Sequence, residues 1–286
     1  MLMRHAEASW KTAVDVERPL KRSGKRAAQR MGTFLVQQDL IPDYVIASTA
    51  VRALETARKT CKAMGLHASK IIHEPGIYEA TADDLVALLQ KLPESAERVL
   101  LVGHNPGLEE LLVTITGSRP AVTEEELMTT AGLAHLQVSS AWHDLAAGSA
   151  KLLTITRAQQ LPEKFPYQLA DGSSEMRDRP AYYYTQSGVV PYRVSDGRLE
   201  VLIITSSSGR HWVMPKGIAD PGCSPQDSAM QEAYEEAGVE GVVEQEPLGE
   251  YQYDKWGSHC TVTVFAMQVS QEVPEPEREE GHRQRR

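Results

Sequence analysis

Short apolar runs that alternate with helical stretches most constrain this chain. "YVIAS", "RVLLVGH" and "AKLLTITRA" alternate with "GKRAAQRMGTFLVQQ", "RALETARKTCKAMG" and "ADDLVALLQKL" within the first 158 residues. Runs of four to eight apolar residues are long enough for buried strands and too short for buried helices. Their alternation with amphipathic helices predicts an α/β sheet with helices on its faces.

That pattern stops at "QQLPEKFPYQLADGSSEMRDRP", where prolines, Gly-Ser and mixed charges remove the apolar periodicity. Residues 159–180 are therefore expected to be a linker between a domain at 1–158 and a second at 181–286. The second begins with "YYYTQSGVVPYRV" and "RLEVLIITSSS", joined across "SDG", which is a hairpin signal. A helix and a further strand run, "CTVTVFAMQV", follow.

The formal net charge of -9 argues against general nucleic-acid duplex or membrane-surface binding, because both need a basic patch. Three scattered cysteines, Cys61, Cys223 and Cys260, form neither a disulfide framework nor a zinc motif. No apolar run approaches the roughly 18 residues of a membrane helix. The expected location is cytoplasmic.

Two histidines stand at strand ends. "MRHAEA" places Arg4 and His5 after a short apolar lead, and "LLVGHNPG" places His104 at the end of another strand. Open α/β sheets bind ligands at the carboxyl ends of their strands, so both histidines can share one crevice. Arg52 in "IASTAVRALETA" follows a third strand end. In such a crevice His5 could attack phosphorus, Arg4 and Arg52 could clamp the oxygens, and His104 could stabilise the growing charge, with no metal. Taken singly, each residue reads as readily as a structural or solvated side chain.

Together with "ERPLKRSGKRAA" and "IYEA", these motifs stand in the order of the SixA-type phosphohistidine phosphatases, a branch of the histidine phosphatase superfamily, which residues 1–158 resemble. The resemblance implies that His5 takes the phosphoryl group and that Arg4, Arg52 and His104 form the pocket. A carboxylate would protonate the leaving group. Glu79 is the candidate, with Glu7 and Glu74 as alternatives, and Arg18 is an outer pocket residue. Two departures stand out: only three residues precede Arg4, and Lys21 occupies a position where threonine is common.

The second chemical stretch is "HWVMPKGIADPGCSPQDSAMQEAYEEAGV". Ser224, Pro225 and Asp227 predict a helix start, and Gly238 predicts its stop, giving a helix from about Pro225 to Ala237. On that helix Glu232 neighbours both Glu235 and Glu236, and like charges so placed repel. Mg2+ or Mn2+ would offset the repulsion, and such an ion would serve hydrolysis of a phosphoanhydride. "EEAG" alone reads at least as readily as a solvated acidic helix.

The flanks carry the resemblance further. Counting from Gly217, residues Glu232, Ala233, Glu235, Glu236, Gly238 and Val239 fall in register with the box of the Nudix hydrolases. Residues 181–286 thus resemble a Nudix α/β/α sandwich that ends early. The resemblance implies metal ligation by Glu232, Glu235 and Glu236, with Glu236 catalytic and Lys216 near the substrate phosphates. Cys223 and Gln231 depart from the box's first glutamate and its arginine. Asp220 could replace that acid, and Glu279 or Glu280 could add a ligand.

The two resemblances imply a bifunctional phosphohydrolase. Its first half would act without metal on a phosphorylated small molecule or a phosphohistidine protein. Its second would cleave nucleoside or dinucleoside polyphosphates with Mg2+ or Mn2+. The alternative is a phosphohistidine phosphatase carrying a degenerate, nucleotide-sensing Nudix module.

Overall fold

A computed structural model describes residues 1–121, 126–274 and 282–286. The chain divides into two compact units, Met1–Glu163 and Lys164–Arg286.

In the first unit, β1 (Leu2–Arg4) is followed by α1 (Arg22–Gln37), β2 (Tyr44–Ser48), α2 (Val51–Ala63) and β3 (Ile71–Glu74). Then come α3 (Ala82–Leu89), β4 (Val99–Gly103), α4 (Gly107–Thr116), β5 (Leu133–Val138) and β6 (Ala150–Thr156). The sheet order is β3-β2-β4-β1-β5-β6, parallel through β1 and antiparallel beyond it. Successive side chains of a strand face opposite sides of the sheet, and here they feed two cores. Leu2, Ile46, Val99 and Leu101 pack with α3 and α4, while Met3, Val45, Ala47, Leu100 and Val102 pack with α1 and α2. Every residue of β4 is buried, which explains its uninterrupted apolar run.

Although β1 has only three residues, it lies between two partners, pairing Leu2 with Leu101 and Ala134 and Met3 with Val102 and Leu133. The His5 N–H then donates to the Gly103 carbonyl at 2.9 Å. Neighbouring strands thus supply the anchoring that length does not.

The second unit begins inside the segment expected to be a linker. A short helical turn at Ala158–Gln160 ends the first unit, and β7 (Phe165–Gln168) pairs with β8 (Ser174–Arg177) in a hairpin. Phe165 and Arg177 are buried, and the Arg177 guanidinium stacks 3.3 Å from the Tyr167 ring centre.

Next come β9 (Thr185–Ser195), β10 (Arg198–Val201), β11 (Ile204–Thr205), β12 (Trp212–Val213), β13 (Lys216–Ile218), α5 (Pro225–Glu232), β14 (Val239–Lys255) and β15 (Ser258–Glu272). The main sheet runs β10-β9-β15-β14, with β13 also paired to β9. "SDG" makes the expected turn: Asp196 and Gly197 take φ of 51° and 73°, and Ser195 pairs with Arg198. Ala229, Ala233 and Ala237 of the helical segment pack on Val189, Phe265 and Met267 of the sheet.

The acidic helix is not α-helical throughout. It is α through Glu232 and forms a π-helical turn over Ala233–Ala237, ending at Gly238 in the left-handed region. Ser224 caps its start by accepting from the Asp227 N–H. Among the described residues no helix is long and apolar enough to cross a membrane.

Candidate functional site

Arg4 and His5 leave the end of β1, and His104 leaves the end of the adjacent β4, so strand pairing alone sets the two imidazoles side by side. Their ring centres are 5.1 Å apart. His5 Nδ1 lies 2.8 Å from the Ala6 carbonyl oxygen. A carbonyl only accepts, so the proton sits on Nδ1 and Nε2 carries the lone pair. Arg52 Nε, 3.3 Å away, donates to that Nε2. Burial, and then the Arg52 and Arg4 charges, push the His5 pKa down to about 4, outweighing the raising effect of the Ala6 carbonyl. The result is a neutral imidazole with its free nitrogen facing a guanidinium.

His104 is held differently. The Ser48 hydroxyl accepts from the Ala50 N–H and lies 2.8 Å from His104 Nε2; in the tautomer in which Ser48 donates to that nitrogen, the imidazole proton is on Nδ1. That Nδ1 is buried with no hydrogen-bond partner, and so is Arg4 Nε. Buried polar atoms are rarely left unsatisfied. Two donors without acceptors in one cationic crevice suit an oxyanion. Burial, His5 and Arg52 lower the His104 pKa to about 3.

Three neighbours escaped the sequence reading. Asp15 bridges Arg18 (2.8 Å) and Arg52 (2.9 Å) and accepts from the Tyr78 hydroxyl at 2.8 Å. Hydrogen bonds from Arg18 and Tyr78, with the Arg52 charge, hold its pKa down to about 2. Tyr78 also meets His104 edge to face at 5.5 Å. Glu126 pairs with Arg4 at 2.9 Å. Arg18, expected as an outer pocket residue, is thus tied to the pocket through Asp15 and stacks 3.3 Å from the centre of Trp10.

The three carboxylates weighed as acids separate by their partners. Glu7 is engaged by Lys21 and Ser23, each at 2.6 Å, and Glu74 accepts from the Gly76 N–H at 2.8 Å. Glu79 is exposed beside Tyr78, with its backbone in the left-handed region at φ 56°. Such a conformation costs a non-glycine residue about 1–3 kcal/mol and recurs at functional sites.

The loop holding Glu79 also braces α4. A Cβ placed on Gly107 would overlap the Ala80 carbonyl oxygen, and backbone cannot swing aside. Gly107→Ala is expected to destabilise the protein by about 1–3 kcal/mol. Because α4 begins just after His104, it should also depress monoester hydrolysis. A thermal melt alongside an activity assay checks both.

In the second unit the acidic helix faces β13. The Glu232 carboxylate lies where a Cβ on Gly217 would stand, so only glycine there admits it. Glu236 is 8% exposed; its Oε2 accepts from the Lys216 N–H at 3.0 Å and its Oε1 pairs with Arg283 at 2.6 Å. Glu235 turns instead to the Gln231 amide at 2.6 Å. Lys216 Nζ reaches Gln186 at 3.2 Å and the Tyr253 hydroxyl at 3.1 Å.

The three glutamates expected to ligate together take different partners: Glu232 ends the α-helical part, while Glu235 and Glu236 lie within the π turn. Among the described residues no group of three His, Cys, Asp or Glu side chains could hold a metal ion. Two carboxylates do come to the Lys216–Gly217 backbone, and Mg2+ is commonly held by one or two carboxylates together with substrate phosphates. Glu232 and Glu236 thus fit such an ion in donor chemistry, and the missing Gly217 side chain is what lets Glu232 reach this backbone. The Asp220 N–H donates to Ser228 Oγ at 3.1 Å. Glu279 and Glu280 lie outside the described residues.

Comparison with known proteins adds to this geometry. Residues 1–98 match the histidine phosphatase superfamily (branch 1), and residues 185–285 match the Nudix domain. The chain joins a histidine phosphatase domain to a Nudix domain. Both are hydrolase families.

The histidine phosphatase part is 32% identical over 157 residues to an uncharacterized protein of Mycobacterium tuberculosis (strain ATCC 25618 / H37Rv), covering 53% of this chain and 96% of that one. It also aligns with the protein histidine phosphatase SixA solved with tungstate, at 22% identity and a TM-score of 0.48, covering 55% of this chain and 96% of that chain. The Nudix part is 31% identical over 132 residues to Nudix hydrolase 12, mitochondrial, of Arabidopsis thaliana, covering 37% of this chain. The match spans 65% of that relative's length.

Proposed function

We propose that the protein is a bifunctional phosphohydrolase. In the histidine phosphatase unit His5 Nε2 attacks phosphorus and the bond to the leaving group breaks. The phosphoryl group passes to His5 and is then released to water. Arg4, Arg52 and the His104 Nδ1–H hold the phosphoryl oxygens, and Glu79 gives a proton to the departing oxygen or nitrogen. The observation that carries this reading is the His5 nitrogen lone pair, facing Arg52 and set beside the unsatisfied Arg4 Nε and His104 Nδ1. Its substrates are phosphorylated small molecules or phosphohistidine proteins.

The Nudix unit, in this reading, cleaves phosphoanhydrides of nucleoside or dinucleoside polyphosphates. A divalent ion, Mg2+ or Mn2+, supplies charge neutralisation of the phosphates and an activated water when bound. Glu232 and Glu236 would hold it, with Glu235 on the same turn, and Lys216 would face the phosphates. Three free cysteines, two of them buried, favour a reducing, cytoplasmic setting.

A second reading keeps the Nudix unit as a nucleotide-sensing module, and the engagement of both Glu236 oxygens by protein donors favours it. Phosphate and pyrophosphate release from a phosphohistidine peptide, nucleoside triphosphates and diadenosine polyphosphates decides between them. Under the main reading, polyphosphate cleavage requires Mg2+ and stops in EDTA, while monoester or phosphohistidine cleavage continues. Nucleotide binding with no metal-dependent turnover would instead favour the sensor.

A further inference from the structure

Gln231 stands where the Nudix pattern has arginine, so the acidic helix lacks a guanidinium of its own. Another guanidinium reaches it from far along the chain. Arg283 Nη2 lies 2.6 Å from Glu236 Oε1, with about a tenth of each side chain exposed (9% and 11%).

The three residues that follow Arg283 are fastened to β11 and its neighbour Ile203 and to the end of the acidic helix. Ile203 and Arg286 exchange backbone bonds at 3.0 and 2.9 Å. The Thr205 N–H donates to the Gln284 carbonyl at 3.0 Å, and the Gln284 N–H donates to Thr205 Oγ1 at 3.0 Å. Arg285 Nη1 reaches the Ala237 and Gly238 carbonyls at 3.3 and 3.4 Å, where the end of a helix favours a cation.

We propose that Arg283 is the positioning residue for Glu236, supplying from the 282–286 segment the guanidinium that Gln231 does not. The inference rests on the metal-dependent reading of the Nudix unit. Arg283 and the Lys216 N–H fix one carboxylate oxygen each, so the orientation of the whole group is set. A held carboxylate is pre-oriented and pays no ordering cost when the ion arrives. A guanidinium that merely stood in for the ion would have to leave on metal binding, and four backbone or backbone-to-hydroxyl bonds hold this one's segment in place.

The test uses the full chain as wild type, Arg283→Ala, Arg283→Lys, Gln231→Arg/Arg283→Ala and Glu236→Gln. Mn2+ binding is read by loss of the free-ion paramagnetic resonance signal, and folding by circular dichroism and thermal melt. Mg2+-dependent polyphosphate cleavage and EDTA-resistant monoester cleavage are measured alongside. Arg283→Ala is expected to weaken Mn2+ binding and lower Mg2+-dependent turnover by about 10–100-fold, with EDTA-resistant cleavage unchanged. Arg283→Lys should recover part of the loss, since a point charge lacks the guanidinium fork. The double variant should recover part by placing an arginine on the helix.

Mn2+ binding in Arg283→Ala that equals or exceeds wild type, with turnover retained, overturns the proposal in favour of a competing counter-ion. So does a loss that follows the melting temperature alone with Arg283→Lys no better than Arg283→Ala. Mn2+ binding that is missing in wild type, or that survives Glu236→Gln, overturns the metal reading itself and this inference with it.

Discussion

Replacing His5 by alanine is expected to cut EDTA-resistant phosphate release by at least about a thousand-fold, because it removes the nitrogen lone pair that faces Arg52 in the crevice. His104 is not set to replace it, since its Nε2 is engaged by Ser48 at 2.8 Å. The pH dependence follows from the same burial. With the His5 pKa near 4, the free enzyme keeps a neutral nucleophile across the range where an exposed histidine would protonate. The acid limb of kcat/KM should therefore lie near pH 4, once the substrate's own phosphate titration near about pH 6 is allowed for.

Stability moves in a definite direction as well. The folded pKa values of about 4 for His5 and about 3 for His104 lie below the ordinary histidine value of 6.5. The unfolded chain then binds more protons between those limits, so stability rises with pH through the window and is lost as pH falls from about 6.5 toward 3. Urea unfolding of wild type and His5→Ala over this range checks the sign. The variant should lose less stability on acidification.

Glu236→Gln is expected to abolish most metal-dependent cleavage, by about a hundred-fold or more, and to lower stability together with it. A carboxylate accepts at both oxygens, and here one serves the Lys216 N–H and the other Arg283. An amide offers one acceptor and one donor group. Whichever way it turns, an NH2 faces a donor, at a cost of about 1–3 kcal/mol for the group left unsatisfied. Calorimetry with and without Mg2+ separates the two effects: the stability loss persists without metal, and stabilisation by Mg2+ disappears. A variant that keeps EDTA-sensitive turnover would remove Glu236 from the site.

The parts of the candidate site legible in the sequence are those fixed by strand ends. Arg4, His5 and His104 could be paired because two apolar runs stop just before them, and Arg52 because a third run leads into its helix. Asp15, Ser48 and Tyr78 were not legible, since their roles depend on contacts between segments 56 to 63 residues apart. Asp15 lies in an irregular polar stretch with no period to mark it.

The same distinction runs through the fold. The "SDG" hairpin was readable, and so, in hindsight, was the one in the expected linker, where Asp171-Gly172 carries the same signal. The charged residues around it masked a hairpin whose buried face rests on Phe165 and Arg177. β14 hid because glutamates interrupt its apolar residues and its ladder shifts register around Gly241, Pro247 and Gly249. The π turn left no mark, because "AYEEA" has neither proline nor glycine to announce it. Arg283 was out of reach for a plainer reason: its partner lies 47 residues earlier, outside any local pattern.

The three residues of β1 make catalysis and core packing a single measurement of length. A strand has a half-step of one residue, so sliding β1 by one position would exchange Leu2 and Met3 between the two cores. It would also carry His5 off the Gly103 carbonyl and away from His104. An insertion between Leu2 and His5 would shift the register of everything after it in the strand. The position of the proposed nucleophile is thus indexed by the core, and a chain that misplaces it also fails to pack.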